Sequence, residues 1–262
     1  MAKRLGLIGF GYIGEAIWRR AVADPEFDIA FVWNRSPDRL AGLPEALVLE
    51  NLDEFAGRCP DLVIEMAHPS VTTAYGAAFL RVCNYLPLSV TALADDGLRA
   101  ALMSACAEGN TSLFIPHGAL IGLDNLVEAR DNWAEVCVTF TKHPDSLDLT
   151  GVAVDPATLS AATTVFEGSV REAAALFPRN VNTMATCALA TLGFDRTRAR
   201  MIADPGSSSM IAEVRAIGKD GSRFETVKEE RAVGVSGTGM LNAQWASIEK
   251  AVRGGTVGLN FV

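Results

Sequence analysis

The chain has 262 residues, 49% of them hydrophobic, enough to bury the core of one large or two ordinary domains and too apolar for a disordered protein. Its formal net charge is −8, and its 23 basic residues are scattered. A nucleic-acid surface, which needs a concentrated basic stripe, is therefore excluded.

The first predicted strand is the apolar run Leu5-Gly6-Leu7-Ile8, and Gly9-Phe10-Gly11-Tyr12-Ile13-Gly14 follows it directly. This G-x-G-x-x-G spacing suits a dinucleotide pyrophosphate. The first glycine makes a tight turn, the second lets backbone approach the phosphates, and the third lets helix meet strand. A helix predicted over 15–22 would point its positive end at the anion. A second apolar run, Ile29-Ala30-Phe31-Val32-Trp33, completes one βαβ unit. Gly9, Gly11, Tyr12, Ile13 and Gly14 are thus candidate cofactor-binding residues.

An acid at the end of the second strand would hydrogen-bond a ribose 2′-hydroxyl and repel a 2′-phosphate. Here the residues are Asn34-Arg35-Ser36. Arg35 offers a planar cation and Ser36 a hydroxyl, which suit a phosphate monoester, so NADP is favoured and NAD remains possible. The alternative role for Arg35 is to cover the adenine face.

Strand-like runs recur at 62–65, 88–91 and 113–116, with helix-like segments at 71–84 and 96–108. The alternation predicts an α/β fold, a Rossmann-type doubly wound parallel sheet that binds ligands at the carboxyl ends of its strands. Loops there hold Ala67-His68, Ala92 and His117, and the nicotinamide is expected near the last two. Ala67, His68 and Ala92 join the cofactor candidates.

From Val136 the pattern changes. Strands at 136–141, 200–203 and 211–217, with helices near Val170 and over 181–191, predict an α+β substrate and dimerisation domain. A last helix over 242–253 is expected to return to the first domain. The predicted boundaries are 1–132, 133–240 and 241–262.

A nicotinamide enzyme acting on an amino or hydroxy acid needs a cation for carboxylate, a polarising donor and a proton carrier. His117 follows a strand end beside a glycine and is the candidate proton carrier, or else a loop-stabilising histidine. Lys142 and His143 follow the strand at 136–141, where Lys142 is the candidate carboxylate-binding cation. Asn180 and Asn182 precede a helix and either cap it or, if its end faces the cleft, bind substrate oxygen. His68 lines the adenine or pyrophosphate side.

The three histidines share no metal-ligand spacing, so no metal is expected. The five cysteines are widely spaced without a C-x-x-C pair and read as buried hydrophobes in a reducing compartment. No apolar run approaches the ~20 residues of a membrane span, and the chain enters a strand without a cleavable signal. A cytoplasmic protein with a small-molecule substrate, and neither nucleic-acid nor membrane partner, is expected.

The chain resembles the L-aspartate dehydrogenase family over nearly its whole length. Carrying segments are the glycine turn, Ser89 through Asp95, Ile115 through Asp124, Phe166-Glu167-Gly168-Ser169, Leu176 through Asn182, Gly193 through Thr197, and Ala203-Asp204-Pro205. The resemblance implies a homodimeric NAD(P)-dependent enzyme that interconverts L-aspartate with iminosuccinate, or with oxaloacetate and ammonia. It places cofactor in the first domain and substrate between the two. It also implies a catalytic histidine about eight residues after the Asp-Pro pair, where this chain has Ala212. An alanine moves no proton. Either His117 takes over that role, or the substrate is a different imine or carbonyl, or the protein binds cofactor without turnover.

Overall fold

In the computed structural model, the described residues are 2–152, 154–233, 236–237, 239–252 and 258–261. They form two compact units, Met1–Pro116 with Gln244–Val262, and His117–Ala243.

The first unit alternates strand and helix: β1 (Lys3–Ile8), α1 (Tyr12–Ala23), β2 (Phe27–Trp33), β3 (Leu62–Glu65), α2 (Pro69–Leu80), β4 (Asn84–Pro87), α3 (Asp96–Gly109) and β5 (Ser112–Ile115). Strand β3 reads Leu-Val-Ile-Glu and is buried throughout, as a parallel strand covered on both faces must be. Helix α2 starts with Pro69 in its first turn, where a missing N–H costs nothing. Helix α3 is capped by Asp95, whose carboxylate accepts the Leu98 N–H at 2.8 Å, and it stops at Asn110 in the left-handed region.

The fourth strand corrects the sequence expectation. It runs over Asn84–Pro87, and Val90–Ala94 form a 3-10 turn in place of a strand at 88–91. Pro87 looks like a strand breaker, but it lies at the strand's last position, where its missing donor is tolerated. Pairing ends one residue later, with the Leu88 N–H donating to the Glu65 carbonyl.

The second unit contains α4 (Leu123–Glu128), β6 (Trp133–Lys142), β7 (Thr163–Ser169), α5 (Val170–Leu176), α6 (Asn182–Ala190), β8 (Arg198–Ala203), β9 (Ser209–Gly218), β10 (Arg223–Val233) and β11 (Ser236–Gly237). These strands make a mixed sheet in the order β11-β10-β9-β6-β8-β7. Only β6 and β8 pair in parallel. Along β9 the side chains alternate, with Met210, Ala212, Val214 and Ala216 buried and Arg215 and Ile217 exposed. Helix α5 opens with a capping box: Ser169 and Glu172 satisfy each other's backbone amides. Residues 117–132, expected in the first domain, cluster with this unit, and α4 packs on α6.

The chain then returns through α7 (Met240–Val252) and β12 (Gly258–Phe261). Ile248 and Ala251 join Leu5, Leu7, Ile17, Ile64 and Phe114 in the first unit's core. Strand β12 pairs with β5 in parallel, giving the order β12-β5-β4-β3-β1-β2, all parallel. The chain leaves β1 for β2 on one side and for β3 on the other, so β1 marks the topological switch point where such sheets bind ligands.

Candidate functional site

The glycine turn begins where β1 ends. Gly9 has φ +97°, which only glycine adopts without strain, and a Cβ there would meet the Met66 carbonyl oxygen at 2.7 Å. A Cβ on Gly14 would collide with the Gly9 carbonyl, so the third glycine permits the helix to approach the turn. A Cβ on Gly11 would meet nothing within 4 Å, which leaves the approach from outside open. Gly11 is also the N-cap of α1, and no side chain caps the amides of the first turn. Backbone donors, a helix's positive end and an unobstructed approach fit a pyrophosphate. Tyr12, 64% exposed, and Ile13 flank that opening.

Asn34 fixes the turn from the side of β2. Its Oδ1 accepts the Phe10 N–H at 3.0 Å, and its Nδ2 donates to the Ser36 carbonyl at 2.9 Å. Arg35 and Ser36 are exposed beyond it. At the end of β3, Ala67 and His68 enter α2, where His68 Nδ1 accepts the Ser70 N–H at 3.2 Å and so caps the helix. Ala92 lies buried in the 3-10 turn after β4.

Sequence reasoning missed Glu65, fully buried at the end of β3. Its carboxyl group is pushed up to about 7 because burial outweighs the donors from Ala67, Ser89 and His68. Its only sequence signal is an acid closing an apolar strand.

In the second unit, three predicted segments meet at the start of α6. The loop after His117 is tied to α6 by the Ala119 N–H, which donates to Thr183 Oγ1 at 3.2 Å. Asn182 is the first residue of that helix, beside Thr183. The segment following Lys142 is tied to the same end by Asn180. Asn180 Oδ1 accepts the Asp148 N–H at 3.3 Å, and Nδ2 donates to the Ser146 carbonyl at 3.2 Å.

The N-cap of α6 is Val181, with no side-chain bond, and both side-chain bonds of Asn180 go to the loop after β6. The capping alternative therefore gives way to loop anchoring for Asn180. Thr183 was another omission, since a threonine in a helical first turn carries no motif.

Lys142 ends β6 and is 4% exposed. Burial pulls its ammonium down to about 8, and Nζ lies 5.1 Å from the Phe140 ring centroid. His143 turns outward from the strand end and caps a short turn, accepting the Asp145 N–H at 3.2 Å. Ala212 is buried on β9, with Phe140 as its register partner on β6 and Lys228 on β10. Lys228 pairs with Glu230 at 3.3 Å. Among the described residues no cluster of His, Cys, Asp or Glu could hold a metal ion. Cys59 is exposed, against the expectation of burial, while Cys83, Cys106 and Cys187 are buried.

The family described as aspartate dehydrogenase, C-terminal, matches residues 124–246, and that of the homoserine dehydrogenase NAD-binding domain matches residues 9–116. An aspartate dehydrogenase domain-containing protein of Danio rerio is 31% identical, with 94% of each chain covered. L-aspartate dehydrogenase 1 of Bordetella pertussis is 37% identical over 83% of each. Among solved structures, the aspartate dehydrogenase of Thermotoga maritima superposes with a TM-score of 0.76 at 28% identity, covering 97% of this chain and 96% of that one. The chain belongs to the aspartate dehydrogenase family and is an NAD(P)-dependent oxidoreductase of that kind.

Proposed function

We propose that the protein catalyses reversible hydride transfer between a nicotinamide dinucleotide and the α-carbon of a small amino acid or its imine, with L-aspartate and iminosuccinate as the leading pair. The observation that carries this reading is the Gly9–Gly14 turn, which opens α1 with uncapped amides at the switch point of the parallel sheet. The bound nicotinamide supplies the hydride donor or acceptor.

The chain's own residues do the rest. The turn and α1 hold the pyrophosphate, and Asn34 keeps that turn in register. Ala67, His68 and Ala92 supply strand-end surface for the rest of the dinucleotide. Arg35 and Ser36 select the 2′-phosphate of NADP. Lys142 and Asn182 hold the substrate carboxylate, and His117 moves the proton. Support comes from the hydrogen bonds that gather their three segments at one helix end.

A homodimer is part of the same reading. The face of the second sheet opposite its buried side chains exposes Ile217 and Val227. A cytoplasmic location belongs to it as well, and among the described residues no helix is long and apolar enough to cross a membrane.

Ala212 favours a second reading, reduction of a different imine or carbonyl compound, because the removal of a general acid costs ~10²–10⁴-fold on a substrate that needs one. The two are separated by following NADPH oxidation with oxaloacetate plus ammonia and with a panel of other acceptors. Turnover with oxaloacetate and ammonia supports the first, and turnover only with other acceptors the second. Tight NADPH binding with no turnover overturns both. Arg35→Ala is expected to raise the NADPH KM about tenfold and leave that of NADH nearly unchanged, as for a lost phosphate contact worth ~1.5–3 kcal/mol. Equal effects on both cofactors would assign Arg35 to the adenine face instead.

A further inference from the structure

Glu65 makes four hydrogen bonds to two loops. Oε1 accepts the Ala67 N–H at 2.6 Å, the His68 N–H at 2.7 Å and the Ser89 hydroxyl at 3.0 Å, and Oε2 accepts the Ser89 N–H at 3.1 Å. Burying a carboxylate costs several kcal/mol even when it is well bonded, so a sequence selected for packing alone would place an aliphatic residue here. The donors come from the loops after β3 and β4, at the ligand-binding edge of the sheet. Met66, between Glu65 and Ala67, presents the carbonyl against which Gly9 packs. The loop that the carboxylate fixes is therefore the wall of the glycine turn.

We propose that Glu65 is a positioning residue for the dinucleotide: it clasps the loops after β3 and β4 and thereby holds the glycine turn in its phosphate-binding shape. The proposal rests on the dinucleotide reading above. Glu65 has Ile8 of β1 and Pro87 of β4 as register partners, neither of which titrates. The titratable groups around it are Tyr85 of β4 and His68 at the start of α2. Tyr85 is hydrogen-bonded to Thr72 of α2 and pushed well above the usual tyrosine range by burial and by Glu65. His68 meets Glu65 through its backbone N–H, while its ring faces Ser70. Burial places the carboxyl group at about 7, so protonation near neutrality weakens the acceptor and loosens the clasp.

The test titrates wild type and Glu65→Gln with NADPH and with NADH by calorimetry, from about pH 6 to about pH 8.5, so that proton uptake by the cofactors themselves cancels in the comparison. Amide exchange of Ala67, His68 and Ser89 is followed in the ligand-free proteins. We expect a folded variant whose dinucleotide Kd is about tenfold higher at the alkaline end, with faster exchange at the three amides. Wild-type affinity should fall toward acid pH more steeply than the variant's. A folded variant with unchanged Kd and exchange overturns the proposal. So does the same pH profile in both proteins, because a purely structural role would lower melting temperature without moving that profile. Should Glu65→Gln fail to fold, Ser89→Ala removes one donor and must weaken binding in the same direction, or the clasp is refuted. A wild type that binds neither NADPH nor NADH overturns the dinucleotide reading itself.

Discussion

Lys142 is costly where it stands. Its ammonium is buried and pulled from 10.5 to about 8, so the unfolded chain holds more protons than the folded one between those values. Stability contributed at this site therefore rises as pH climbs through that window, and the full penalty is present below it. We expect Lys142→Met to raise stability at neutral pH by roughly 2 kcal/mol while weakening substrate binding. Urea unfolding and substrate KM check the two halves, and unchanged stability would refute the burial argument. Glu65 has the opposite sign: the folded state holds more protons between 4.5 and about 7, so its contribution falls as pH rises through that range. Neither Glu65 nor Thr183 stands out in the sequence, since their importance lies in which backbone amides reach them across loops.

At the scale of the element, α1 separates two kinds of glycine. A methyl on Gly14 would strike the Gly9 backbone, whereas one on Gly11 would meet only open space. Gly14→Ala is expected to lower melting temperature as well as binding, and Gly11→Ala to abolish tight dinucleotide binding with little loss of stability. Thermal melts with and without NADPH distinguish them, and equal melting losses would contradict the geometry.

Elements with one clear period were legible: β1, β3 and α3 lie where the apolar runs place them. Strand β10 was not, because Glu225, Lys228, Glu229, Glu230 and Arg231 resemble a solvated run. In the sheet, Lys228 and Glu230 instead share the half-buried face with Phe224 and Thr226. Helix α4, with six residues, is too short for a periodic signal.

At the scale of the whole molecule, the sequence discloses a parallel sheet followed by an α+β region, yet it does not disclose where the second begins. Residues 117–132 follow β5 without a composition break, and they are assigned by their packing on α6 and by the bonds of Asn132 to Asp220 and Ser222. The returning segment is clearer in its effect. Trp245 lies against Phe27 with ring centroids 5.1 Å apart, and Ile248 is fully buried. Truncation after Ala243 should therefore leave the first unit open to limited proteolysis and unable to bind dinucleotide. Undiminished NADPH binding by the truncated chain would refute this.

The pairing of β12 with β5 has a consequence for biosynthesis. A nascent polypeptide still threaded through the ribosome has the nucleotide-binding sheet short of its outermost strand until residues 258–261 emerge. The middle portion, whose strands are contiguous in sequence, has every partner it needs well before then. The order of maturation under vectorial synthesis is thus inverted relative to chain order, with the unit that starts first finishing last.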